Sequence, residues 1–160
     1  MNDDATESVP PPPAKDAQLQ WPGEFASGEE AAAAMNALTD RTLDGKMGIR
    51  YTYVAADRLE ASMPVAGNTQ PFGLLHGGAS GVLAESVGSL AASLHAGAGR
   101  IAMGIELSCS HHRSATTGEV HASATPLSLG RTLASYEIRI TDDSARPVCT
   151  ARLTCLLRDV

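Results

Sequence analysis

The feature that most limits how this chain can fold is residues 78–96. This stretch has no proline, is dense in Ala, Leu and Val, and carries a single carboxylate, Glu85, near its middle. It is long enough for one extended helix, and Gly97 supplies a natural stop. Apolar or small residues occupy most of its faces. Such a helix is soluble only if other elements wrap it, because a surface helix shows a polar side.

The flanking segments supply the wrapping. Residues 28–38 read as a first helix: Ser27 can cap it, and Glu29 and Glu30 favour its positive end. Residues 42–45 read as a turn. Residues 47–55 and 58–65 read as two strands, and residues 66–77, with Gly67, Pro71, Gly73 and Gly77, as a loop. Four further strands are expected at 100–111, 119–127, 132–141 and 147–157. Tyr136, Ile138 and Ile140 alternate with Glu137, Arg139 and Thr141. Asp142, Asp143 and Ser144 form the last hairpin turn. Segregated helices with hairpin-linked strands predict an α+β fold, a curved antiparallel sheet around one central helix.

Composition sets the outer limits. The 160 residues suffice for one domain with a real core, and only 4% are aromatic, so Ala, Val, Leu and Ile must build it. Residues 1–23, with prolines at positions 10 to 13, read as a disordered tail ahead of a folded domain at 24–160. The net charge of -6 disfavours a nucleic-acid binder. No basic-then-apolar leader or membrane-length apolar run is visible. Cys109, Cys149 and Cys155 are odd in number and form no CxxC pair, which fits a reducing, cytoplasmic setting.

The candidate chemistry lies around the central helix. At helical spacing Glu85 shares its face with Gly78, Gly81, Gly88, Ser89 and Ala92, a trough of small side chains around one carboxylate. Each glycine costs a helix about 1 kcal/mol relative to Ala, so several on one face imply that another helix or a ligand comes close. Glu85 is then either a buried glutamate paired with an arginine or a catalytic carboxylate. His76, Gly77 and Gly78 mark the helix entry, where free N–H groups and the helix dipole can hold a developing oxyanion. A plain capping turn would use the same letters. Gly77 and Glu85 lie eight residues apart, about 12 Å on one helix. Both can act on one carbonyl only if they come from different subunits, which predicts a site shared across a homodimer. A Gly-x-Ser-x-Gly elbow is absent, since Gly78-Ala79-Ser80-Gly81 breaks its spacing. Cys109, His111, His112 and His121 show no standard zinc spacing.

The run Gln70-Pro71-Phe72-Gly73-Leu74-Leu75-His76-Gly77-Gly78-Ala79-Ser80, with Glu85 and Ser89, closely resembles the hotdog-fold thioesterases of the phenylacetate and 4-hydroxybenzoyl-CoA types. Within them it is most similar to aroyl-CoA, enterobactin-proofreading and 1,4-dihydroxy-2-naphthoyl-CoA thioesterases. The resemblance covers about residues 36 to 158 and continues through residues 104–113, 126–131 and 149–154. It implies an acyl-CoA thioesterase without metal or redox cofactor. Glu85 would be nucleophile or general base, and Gly77 would donate its N–H to the thioester oxygen. Gln70 and His76 would assist the carbonyl and the leaving group, and Ser89 would orient water or the acyl group. His111, His112, Arg113 and Arg131 would bind CoA, and Leu74, Val82 and Met103 would line an apolar pocket. It also implies a dimer of joined sheets, with dimers pairing into a tetramer. The alternatives are a proofreading enzyme acting on acyl groups of a carrier protein, a non-catalytic acyl-CoA-binding module, and a dehydratase. The last is disfavoured because the central helix has no Asp.

Overall fold

A computed structural model describes residues 25–160; the expected tail at 1–23 lies outside the described residues. The element order is α1 (Gly28–Thr39), α2 (Leu43–Met47), β1 (Arg50–Val54), β2 (Leu59–Pro64), α3 (Gly77–Ala96), β3 (Arg100–His111), β4 (Glu119–Leu129), β5 (Leu133–Asp142) and β6 (Pro147–Asp159). The six strands form one antiparallel sheet in the order β1-β2-β4-β5-β6-β3. This is the α+β layer expected, with α3 lying across the sheet.

Alternation explains the packing. Ala134, Tyr136, Ile138 and Ile140 of β5 are buried, as are Cys149, Ala151, Leu153, Cys155 and Leu157 of β6. These faces meet Leu83, Ala84, Val87, Leu90 and Ala91 of α3. The core is aliphatic, as the low aromatic content requires. Within it Tyr136 donates its hydroxyl to the Ala91 carbonyl at 3.1 Å, tying sheet to helix. Burial pushes the Tyr136 phenol up to about 12, so it stays a donor.

Three details depart from the sequence reading. The expected turn at 42–45 is instead the start of α2, whose chain reverses at Gly48 in the left-handed conformation (φ 71°). The first strand is shorter than expected. The small-residue face of α3 is not one trough. A Cβ at Gly88 would meet Leu153 Cδ2 of β6 at 2.5 Å, so what approaches Gly88 is the chain's own sheet. Only the flank carrying Gly77, Gly81 and Glu85 faces β3.

Candidate active site

The entry to α3 is built by its first residues. His76 is the N-cap, extended at φ -68° and ψ 130°. Its Nδ1 accepts the Gly78 N–H at 2.9 Å, so the ring proton sits on Nε2, which points away from the cap. The His76 N–H is fixed by the Asn68 carbonyl at 2.9 Å, and the Ala79 and Ser80 N–H groups bond back to the His76 carbonyl. The Gly77 N–H has no acceptor among the described residues. Of the orphan donors at this helix start, Gly77 is therefore the one left to meet a ligand.

β3 runs along this flank in the opposite direction. The His111 ring lies 3.1 Å from where a Gly77 Cβ would stand, and Cys109 and Leu107 lie 3.9 Å from that of Gly81. The Glu85 carboxylate covers Gly104, the position where any side chain would collide with Glu85 Oε1. A β-bulge between Gly104 and Glu106 resets the alternation, so that Gly104, Leu107, Cys109 and His111 all face the helix. Strand register ahead of the bulge corrects the expectation for Met103. It pairs with Leu156 between the inward pairs Ala102–Leu157 and Gly104–Cys155, and so faces away from α3. Leu74 does line the cleft, and Val82 packs against the core.

Glu85 is half-buried, and Ser89, one turn on, donates its hydroxyl to Glu85 Oε1 at 3.1 Å. Cys155 lies behind the carboxylate; burial first, and the Glu85 charge second, hold its thiol above the usual range. Burial likewise raises Cys109 and pushes Cys149 up to about 12. All three cysteines are thus protonated thiols at neutral pH, poor nucleophiles beside the carboxylate.

A second part of the site is a cleft of about 390 Å³ lined by Gln70, Leu74, Gly77, His111, His112 and Arg113, among others. Gln70 sits at the base of a tight turn, its N–H on the Leu74 carbonyl at 2.8 Å and its carbonyl on the Gly73 N–H at 3.0 Å. His112 leaves the helix side of the sheet, as alternation requires, and lies 2.9 Å from Thr150 Oγ1. Arg131 is not brought to this group. Its carbonyl accepts from Arg100 at 2.6 Å, and neighbouring Gly130 bonds His95 at the far end of α3. Within one protomer Arg131 and His111 stand at opposite ends of a 20-residue helix, about 30 Å apart.

A half-buried carboxylate and, about 12 Å along the same helix, an open backbone donor that lines a cleft are groups suited to acyl transfer. The Thioesterase superfamily matches residues 72–149. The proofreading thioesterase EntH of Klebsiella pneumoniae is 47% identical over 126 residues, covering 78% of this chain and 92% of that protein. EntH of Cronobacter turicensis is 48% identical over 122 residues, covering 76% of this chain and 89% of that protein. Among solved structures, thioesterase HI1161 of Haemophilus influenzae superposes with a TM-score of 0.79 at 35% identity, covering 87% of this chain and 94% of that chain. A variant of thioesterase PA1618 of Pseudomonas aeruginosa gives 0.78 at 39% identity, covering 81% and 94%. The chain belongs to the hotdog-fold Thioesterase superfamily and is a thioester hydrolase. Among the described residues no helix is long and apolar enough to cross a membrane.

Proposed function

We propose that this enzyme hydrolyses an aromatic acyl-CoA thioester to the free acid and CoA, in an active site shared between two subunits joined edge to edge at β3. The observation that carries the reading is the disposition of Gly77 and Glu85. The single open N–H and the carboxylate lie on one flank of one unbroken helix, about 12 Å apart. One subunit cannot bring both to one carbonyl. A second copy with its α3 antiparallel across the joined β3 edges sets Gly77 of one against Glu85 of the other.

In this site the Gly77 N–H holds the thioester oxygen as it gains charge. Glu85 either takes a proton from the attacking water or attacks the carbonyl itself, with water then cleaving the acyl-enzyme. The carbon–sulfur bond breaks and the thiol leaves with a proton. Ser89 holds Glu85 Oε1, and Gln70 and the His76 Nε2–H face the reacting group and the departing sulfur. His111, His112 and Arg113 line the route for the CoA end. The same edge-to-edge pairing brings Arg131 of the second subunit to that end, since β3 begins beside Arg131 and ends at His111. No metal or redox cofactor has a role in these steps. The setting is cytoplasmic, and dimers pair into a tetramer.

A second substrate reading is favoured by the comparisons. The EntH relatives are named proofreading thioesterases, which points to acyl groups on a carrier protein handled by the same chemistry. The test is release of free thiol from benzoyl-, naphthoyl- and fatty-acyl-CoA, and from aroyl groups on a carrier protein, by wild type and Glu85→Ala. Aroyl-CoA turnover that collapses in a folded Glu85→Ala variant is the expected result. Turnover only of carrier-bound acyl groups replaces the CoA reading, and turnover unchanged in Glu85→Ala removes that residue from the mechanism.

A further inference from the structure

Immediately after Glu85 stands Ser86, on the flank of α3 that faces away from β3. Its hydroxyl donates to Asp44 Oδ1 on α2 at 2.6 Å. The other oxygen of the same carboxylate, Oδ2, accepts the Tyr51 hydroxyl of β1 at 2.8 Å. Three elements, α2, β1 and α3, therefore meet at one half-buried carboxylate.

The choice of partner matters. Serine inside a helix ordinarily bonds within that helix, as Ser93 does to the Ser89 carbonyl at 2.9 Å and Ser89 does to Glu85. Ser86 reaches out of the helix instead. An ionised carboxylate only accepts, so Asp44 compels both hydroxyls to point at it. The Tyr51 phenol is driven up by burial and by the Asp44 charge, so it remains a donor. Bonds to a charged acceptor are the stronger kind, about 1.5–3 kcal/mol each. The anchor acts one residue from Glu85, while Gly104 bounds Glu85 on the opposite flank. Together they fix the rotation of α3 about its axis at the residue whose aim the chemistry requires.

We propose that Asp44 is a positioning residue for catalysis, holding Ser86 so that Glu85 is aimed along the β3 flank. This rests on Glu85 being the catalytic carboxylate. Small errors of aim are costly, since a displacement of about 1 Å can reduce rates about 100-fold. The experiment compares kcat, KM and melting temperature for Asp44→Ala, Ser86→Ala, their combination and Ser86→Thr, with Arg146→Ala, which removes the Asp142 ion pair at the β5–β6 turn, as a control that touches none of these bonds. The expected result is a fall in kcat of about tenfold or more for each single substitution, with KM within about twofold. The double variant should be no slower than the slower single one, because both remove the same bond. Ser86→Thr, which keeps the hydroxyl, should restore kcat to near the wild-type value.

A lowered melting temperature with unchanged kcat, or kcat losses that multiply in the double variant, would overturn the assignment. If Asp44→Ala does not fold, Ser86→Ala decides, since it removes a single hydroxyl. Glu85→Gln, measured alongside, separates the two levels. Activity retained in Glu85→Gln defeats the reading of the site. Activity lost in Glu85→Gln but kept in Asp44→Ala and Ser86→Ala defeats only the role of Asp44.

Discussion

The two edges of the sheet are treated in opposite ways. At the β1 edge the unpaired backbone of Tyr51 is satisfied by one side chain. Asn36 of α1 accepts the Tyr51 N–H at 2.8 Å and donates to the Tyr51 carbonyl at 2.9 Å, imitating a neighbouring strand. The strand is short, and Tyr51 is buried beneath α1. The β3 edge is 12 residues long, pairs only with β6 among the described residues, and exposes Met103, Ile105 and Leu107. Proteins commonly blunt their edges, because an open ladder recruits other strands. A chain that closes one edge with a dedicated amide and leaves the other long and apolar has a use for the open one. The open edge is also the one that runs beside Gly77, Gly81 and Glu85. The difference teaches that on this molecule the open edge and the candidate site occupy the same flank.

Substitutions at the two edges should therefore separate activity from stability. The largest effect is expected for Gly77→Pro. Proline is well tolerated at the first position of a helix, and His76 already has the extended conformation that must precede it. The new Cβ stands 3.1 Å from the His111 ring, which must shift slightly to admit it; the fold should survive while the open N–H is removed, and kcat should drop about 100- to 1000-fold. Next is Ile105→Lys on the open edge. It should shift the sedimentation equilibrium towards monomer and lower activity in parallel, with the loss reversed at higher protein concentration. An active, stable monomer would break the comparison.

Gly104→Ala sharpens it. The added methyl has no room beside Glu85 Oε1, so kcat should fall roughly tenfold by displacing the carboxylate. Melting temperature should change little, because the position is exposed. The smallest catalytic effect belongs to the closed edge. Asn36→Ala leaves the Tyr51 backbone groups unpaired and should cost about 1–3 kcal/mol in urea unfolding with kcat unchanged. A kcat loss there would show that the β1 edge is not merely structural.

How far the letters carry is visible in the same places. The central helix was legible because residues 78–96 hold no proline and are dense in Ala, Leu and Val, and Glu85 stood out as its only carboxylate. Strand β5 was legible from the strict alternation of residues 136–141. The burial of Gly88 under Leu153 was not, since a helix period cannot say which glycine faces the sheet and which faces an edge. Met103 was expected in an apolar pocket on its side-chain type, and strand register turns it away from α3. Asn36 and Asp44 act through side-chain bonds to residues 15 and 42 positions away, contacts that no local pattern encodes. Arg131 was grouped with His111 because the resemblance implies both at the CoA site, and within one protomer chain topology sets them at opposite ends of α3.

The central claim is that each active site takes Gly77 from one subunit and Glu85 from the other. It is tested most directly by mixing two inactive variants, Gly77→Pro and Glu85→Ala, unfolding and refolding them together, and assaying thiol release. If the site is shared, each mixed dimer has one site with both groups intact, and activity should return to about a quarter of the wild-type value at equal mixing. If both groups act within one subunit, every site stays defective, and a mixture no more active than its components would contradict the account.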